Sequence, residues 1–267
     1  MSAMADMQQV FLDAALEAGR AIMSIYENGI DVSYKDDHSP VTAADEQAEA
    51  IILAHLARAF PDIPVIAEES VAAGVVPDIT GKPFFLVDPL DGTKEFINRR
   101  EDFTVNIALV ENGVPVAGIV YAPAKGVAYR TTAEGAEKLI VADGAVVRSE
   151  AIRCRSRGEV LTAVASRSHN SPETEDFMRK IGVSDFTSVG SSLKFCLLAE
   201  GVADVYPRFG RTMEWDTAAG DAVLRAAGGA TECADSTIFV YGKTRQDTDS
   251  DFANPPFIGW ADRLSRP

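Results

Sequence analysis

The chain has 267 residues, 46% of them hydrophobic and 24% charged, the mixture of a globular protein, which excludes a disordered chain. Roughly three quarters of the unfolded surface can be buried at this length, in one large domain or in two that share an interface. With 40 Asp and Glu against 25 Lys and Arg the net charge is −15, which excludes general binding to a nucleic-acid polymer. A phosphate substrate would need cations at its site, because the local field there has to change sign.

Apolar residues at Val10, Phe11, Ala14, Ala18, Ala21, Ile22 and Ile25 predict an amphipathic helix from about Met4 to Asn28, ended by Gly29. Thr42 is the expected N-cap of a second helix that runs past Asp45 to Phe60, where Pro61 and Pro64 force a break. Val65 to Ala67 is a short strand running into Glu68 and Glu69, and a loop rich in Gly, Pro and Val follows. Phe84 to Val87 is a buried strand. Further strands are expected over Phe103 to Val110, Val114 to Tyr121 and Val127 to Thr131, the first two joined by the hairpin turn Glu111-Asn112-Gly113.

Beyond about Arg155 strand and helix alternate. Strands are expected at Val160 to Ala165, Phe186 to Val189, Ala203 to Tyr206 and Ala230 to Glu232, with helices at Pro172 to Ile181, Ser192 to Ala199 and Trp215 to Ala227. The polar tail from Gln246 to Pro256 is expected to be irregular. The fold class is therefore α/β: an α+β half over residues 1–155 and an α/β half over 156–267, with helices and sheets in layers. Cys154, Cys196 and Cys233 are odd in number with no Cys-x-x-Cys spacing, which predicts reduced thiols. The N-terminal stretch lacks a basic segment followed by an apolar core, and no run reaches the roughly eighteen apolar residues of a membrane span. The expectation is a cytoplasmic protein, free or peripheral at the inner membrane face, as monomer or homodimer.

The segment DPLDGT, residues 88–93, places two carboxylates at the end of a buried strand. Pro89 holds Asp88 extended while the chain turns, so Asp91 can point back toward the same space. Two carboxylates that close repel unless a cation lies between them. With the Leu90 carbonyl they form a hard oxygen set suited to Mg²⁺. Gly92 permits close backbone approach, and Thr93 opens a helical segment whose N–H groups can face phosphate oxygens. An Asp-Gly turn closing the strand is the competing account of these six residues. Asp45 and Asp216, taken singly, fit helix-cap roles. His38, His55 and His169 have no zinc-ligand spacing, and Cys196 on an apolar helix face fits packing.

AEES (67–70), DPLDGT (88–93) and WDTAAGDAVLRAAGG (215–229), with SPVTAAD (39–45) as a fourth element, together resemble the signature motifs of the inositol monophosphatase superfamily. The resemblance runs from the first helix to about residue 230. It implies the layered αβαβα sandwich of sugar-phosphatase type, Mg²⁺-dependent phosphatase activity with two or three ions, and lithium sensitivity. Two features, DGTKEFINRREDFTVNIALVENG and VGSSLKFCLLAEGVADVYPRFG, are similar to the 3'(2'),5'-bisphosphate nucleotidases of the bacterial CysQ type. Inositol monophosphatases usually follow DGT with Thr-Asn-Phe and carry an acidic residue near the position of Arg208. The implied substrate is a small phosphate, adenosine 3',5'-bisphosphate and its sulfated analogue; the alternative is an inositol or sugar phosphatase, and a non-catalytic Mg²⁺- or nucleotide-binding module is the reading from another class.

By resemblance, Glu68, Asp88, the Leu90 carbonyl, Asp91 and Asp216 would bind metal, Asp88 shared between ions. Asp45 and Thr93 would orient and deprotonate the attacking water, and Glu69 would assist through a water or a third ion. Glu68, Leu90, Asp91, Gly92, Thr93 and Asp216 would also line the substrate. A second phosphate needs local positive charge, for which Lys194 and Arg208 are the candidates, with Ser191 as a hydroxyl donor.

Overall fold

The computed structural model describes residues 3–29, 32–34, 40–166 and 171–262. Helix α1 (Ala3–Asn28) stops at Gly29, whose positive φ of 132° leaves the helical region. Strands β1 (Val32–Tyr34) and β2 (Pro40–Thr42) form a small antiparallel ribbon leading into α2 (Ala43–Ala59). Then come β3 (Val65–Ala67), the one-turn helix α3 (Glu68–Ala72), β4 (Phe84–Asp91) and the short α4 (Thr93–Ile97). A run of antiparallel strands follows: β5 (Thr104–Glu111), β6 (Val114–Ala122), β7 (Val127–Thr132), β8 (Gly135–Ala142) and β9 (Ala145–Ile152). The remainder is β10 (Leu161–Ser166), α5 (Pro172–Lys180), β11 (Val183–Val189), α6 (Leu193–Ala199), β12 (Val205–Arg208), β13 (Thr212–Met213), α7 (Glu214–Ala226), β14 (Ala230–Cys233), β15 (Ala253–Asn254) and β16 (Phe257–Trp260).

Strands β3 to β9 form a seven-stranded sheet in sequence order, and a five-stranded sheet has the order β11-β10-β12-β16-β14. Period-two alternation lets β4 serve two cores at once. Phe85 and Val87 pack with α1 and α2, while Phe84 and Leu86 face the central layer of α6 and α7. The central cluster continues into the five-stranded sheet, whose other face, through Ala163, Ala165, Val205 and Ile258, packs with Met178 and Phe177 of α5. The layers are thus α1 and α2, large sheet, α6 and α7, small sheet, α5: the αβαβα sandwich expected from the motifs. Where α7 crosses β6 the backbones meet at Gly118. A Cβ there would stand 2.8 Å from the Ala219 carbonyl oxygen, so only glycine fits.

Four features depart from the sequence expectations or go beyond them. Strand β4 does not stop at Val87; it runs through Asp88 to Asp91 with a register shift between them, because β5 supplies partners Asn106 and Thr104 that a local reading cannot see. Glu68 and Glu69 follow the strand Val65–Ala67 directly, as expected, and open a helix there, since Glu49 of α2 accepts hydrogen bonds from both Glu69 N–H (2.7 Å) and Ser70 N–H (2.8 Å). The hairpin β8–β9 carries no clear alternation, its second strand being exposed along most of its length. The polar tail ends in β15, and just beyond it β16, four residues long and preceded by two prolines, is the central pairing partner of both β12 and β14.

Candidate active site

The strand end is shaped as the sequence implies. The Leu90 N–H donates to Asp88 Oδ1 (3.0 Å), folding the chain back, and Gly92 takes φ 94°. A Cβ on Gly92 would sit 3.0 Å from the Asp102 carbonyl oxygen, so the turn depends on glycine. Thr93 then points its hydroxyl at two acceptors, Asp45 Oδ1 and the Leu90 carbonyl, both at 3.2 Å. Asp45 comes from the first turn of α2, 48 residues away in sequence. Its other oxygen accepts from the Thr42 N–H and hydroxyl (2.8 Å each), while Thr42 Oγ1 accepts from Ala44 N–H. The helix cap and the Thr93 contact are therefore one residue doing both tasks.

Asp216 reaches the same place from the first turn of α7, its Oδ2 accepting the Met213 N–H at 2.8 Å. A cavity of about 270 Å³ is lined by Glu68, Asp88, Leu90, Asp91, Thr93 and Asp216, and also by Lys194 and Arg208. Gly92 and Ser191 belong to the same lining. Asp45, 3% exposed, touches the cavity through Thr93.

Burial dominates the electrostatics. It pushes the carboxyls of Asp88 and Asp216 well above their ordinary value, and the neighbouring Glu68 and Asp91 add repulsion. Asp91 is raised by burial too, opposed by the Lys194 ammonium and by hydrogen bonds from Ser192. Asp45 is pushed up to about 6, by burial more than by Glu68, against its bonds from Thr42. These carboxylates are like charges held together at a cost, and a divalent cation among them removes it. Among the described residues no group of three or more His, Cys, Asp or Glu side chains is arranged to hold a metal ion. The donors that line the cavity, Glu68, Asp88, the Leu90 carbonyl, Asp91 and Asp216, are hard oxygen ligands of the kind Mg²⁺ takes, its shell being completed by water and substrate oxygens.

The cationic side is buried as well. Lys194 is 4% exposed, donates to the carbonyls of Val189 (3.3 Å) and Ser191, and is brought down to about 8 by burial. Arg208, 7% exposed, donates from Nε to the Gly210 carbonyl (3.0 Å) and from Nη2 to that of Arg211 (3.1 Å). Ser191 stands at a positive φ of 50°, and its buried hydroxyl has no hydrogen-bond partner among the described residues. A ligand oxygen in the cavity would give it one.

Ser192, beside the predicted Ser191, is the residue that sequence reasoning missed. Its Oγ lies 3.1 Å from Asp91 Oδ2 and 2.5 Å from the Asp216 carbonyl, and it accepts from Asn106 Nδ2 at 2.9 Å. Only the doubled serine of VGSSLK hinted at it. Glu49, buried under the start of α3, was likewise invisible: an acidic residue mid-helix reads as solvated. Glu69 is half-buried on α3, its N–H taken by Glu49. His55 pairs with Glu17 at 2.8 Å away from this cavity, and His38, Ser39 and His169 lie outside the described residues.

The family model described as the inositol monophosphatase family matches residues 3–255, and the chain belongs to that family. Within it, the chain is 48% identical over 216 residues to the 3'(2'),5'-bisphosphate nucleotidase CysQ of Salmonella typhimurium, covering 80% of this chain and 85% of the relative. The crystal structure of CysQ from Bacteroides thetaiotaomicron superposes with a TM-score of 0.79 at 41% identity, over 96% of this chain and 97% of that one. An inositol monophosphatase from Anabaena matches with a TM-score of 0.75 at 23% identity, a likeness of fold.

Proposed function

We propose that this protein is a Mg²⁺-dependent phosphatase that hydrolyses the 3'-phosphate of adenosine 3',5'-bisphosphate, and of its sulfated analogue 3'-phosphoadenylyl sulfate. The observation that carries this is one cavity lined both by the carboxylates Glu68, Asp88, Asp91 and Asp216 and by the cations Lys194 and Arg208. Such a lining accommodates two anionic groups of one molecule, whereas a monophosphate needs cations only at one end. The identity to bisphosphate nucleotidases and the Lys94-Glu95-Phe96 continuation after DGT favour the same substrate.

Glu68, Asp88, the Leu90 carbonyl, Asp91 and Asp216 would hold two Mg²⁺, with Asp88 shared and a weaker third ion near Glu69. When bound, the ions neutralise phosphoryl charge and make a water acidic enough to attack near neutral pH. The chain's own part is proton handling and orientation. Thr93 Oγ1 gives its proton to Asp45 Oδ1, which frees an oxygen lone pair to receive a proton from the attacking water. The Thr42 bonds hold Asp45 in place for that transfer. Lys194, Arg208 and the Ser191 hydroxyl would hold the second phosphate and turn the 3'-phosphate toward Thr93. In this scheme the half to residue 155 carries most metal ligands, and 156–267 contributes Asp216 and the substrate contacts. The three cysteines are free thiols, in keeping with a cytoplasmic enzyme, and among the described residues no helix is long and apolar enough to cross a membrane.

The test is phosphate release by purified protein from adenosine 3',5'-bisphosphate, 3'-phosphoadenylyl sulfate and inositol 1-phosphate, with and without Mg²⁺. Mg²⁺-dependent preference for the two nucleotides is the expected result. Turnover of inositol 1-phosphate alone would overturn the substrate assignment, and activity in EDTA would overturn the metal chemistry.

A further inference from the structure

Four cations among the described residues line the cavity: Lys94, Lys194, Arg208 and Arg211. Lys194 and Arg208 are buried and donate to main-chain carbonyls, so each can offer only part of its hydrogen-bonding capacity to a ligand. Lys94, the second residue of α4, is exposed. Arg211 differs from the two buried cations. Its side chain is 54% exposed, and its Nε faces both oxygens of Asp249 at 3.1 and 3.4 Å while Nη2 donates to Ser250 Oγ at 2.6 Å.

Asp249 is itself 38% exposed. An ion pair so open to water opens at little cost, because solvent screens it and regains both groups. A phosphate dianion offers more: the planar guanidinium can meet two of its oxygens with parallel charge-assisted bonds. The backbone that carries Arg211 is also held for the purpose, since Arg208 Nη2 donates to the Arg211 carbonyl and Thr212 enters β13 immediately after.

We propose that Arg211 is a specificity residue that leaves Asp249 to hold the anionic group at the 5' position of the nucleotide, whether phosphate or the phosphate of a phosphosulfate. Asp249 is its resting partner. The proposal rests on the bisphosphate assignment of the cavity, and it adds a contact whose strength depends on the second anionic group rather than on the one that reacts.

The experiment compares adenosine 3',5'-bisphosphate with adenosine 3'-monophosphate, which lacks the 5' group, for wild type, Arg211→Ala, Arg211→Lys and Asp249→Asn. Arg211→Ala is expected to raise KM for the bisphosphate about tenfold, the loss of one charge-assisted contact, with kcat and the monophosphate KM unchanged. Arg211→Lys should recover part of that loss. Asp249→Asn should leave the bisphosphate KM equal or lower, since it releases the guanidinium. Equal effects of Arg211→Ala on both substrates, or none on either, would overturn the proposal. So would an Asp249→Asn variant that reproduces the Arg211→Ala loss, because the ion pair would then matter only as structure. A wild type that turns over the monophosphate and not the bisphosphate sinks the substrate assignment first and the role of Arg211 with it.

Discussion

At Asp91 opposing influences compete: burial raises its carboxyl, Lys194 and the side-chain and backbone hydrogen bonds from Ser192 lower it, and Glu68 raises it. Asp91→Asn keeps the shape and the Ser192 contact while deleting the charge. It should therefore reduce turnover by several orders of magnitude and leave the metal-free protein as stable as wild type or a few degrees more so, at roughly 2–4 °C per kcal/mol. Retained activity would remove Asp91 from the metal site; a large loss of melting temperature would show its charge to be structural. Asp45 gives a pH dependence. Its unfolded value is 3.8 and its folded value about 6, so in that interval the folded state keeps a proton the unfolded state has lost. The stabilisation is intact below about pH 4 and is lost as pH rises through about 6, and the raised carboxyls of Asp88, Asp91 and Asp216 act in the same direction. The melting temperature in EDTA should fall as pH rises from about 4 to 7, and added Mg²⁺ should raise it more at about pH 7.5 than at about pH 5. A metal-free melting temperature that climbs over this range would contradict both statements.

Among the elements, α7 and α6 hold the site together from the side opposite α2. The small residues of WDTAAGDAVLRAAGG let α7 lie against β6 at Gly118 and against Phe195 of α6 at Gly220, where a Cβ would meet the ring at 2.6 Å. That run was legible as a helix with an acidic first turn, and Thr42 was legible as a cap. What could not be read was the junction made at the start of α6, where Ser192 touches Asp91 from β4, Asp216 from α7 and Asn106 from β5. The doubled serine was the one local hint, and it says nothing of the role, which arises from three segments far away in sequence. Ser192→Ala should raise the Mg²⁺ concentration for half-maximal activity about 10-fold or more, the usual cost of losing a partner that orients a metal-binding carboxylate. The KM for nucleotide at saturating Mg²⁺ should change little. An unchanged Mg²⁺ titration would show that Asp91 needs no such support.

Over the whole molecule, the central hydrophobic cluster takes residues from both halves of the chain, Ile66 to Ala136 on one side and Val164 to Ala261 on the other. Neither half can close that core alone, so thermal unfolding should be a single calorimetric transition, and a fragment ending near residue 155 should fail to fold. Two resolved transitions would mean the halves are independent. The net charge of −15 acts at this scale too: it repels an anionic substrate everywhere except where cations gather, which concentrates binding on one cavity. Local chemistry in the chain was enough to specify the layered class, most helices and strands and the DPLDGT turn, because caps, periodicity and Pro-Gly constraints act over a few residues; Asp45, Asp216, Lys194 and Arg208 were singled out for the site only through the resemblance of the motifs to a family. Tertiary structure alone decided how far β4 extends, where β16 inserts, that Glu49 secures α3, that Ser192 joins the two halves at Asp91, and that Lys194 is buried while Arg211 reaches solvent. Each of those depends on a partner dozens of residues away, and burial, which raises the carboxyls of Asp88, Asp91 and Asp216, exists only once the layers have closed.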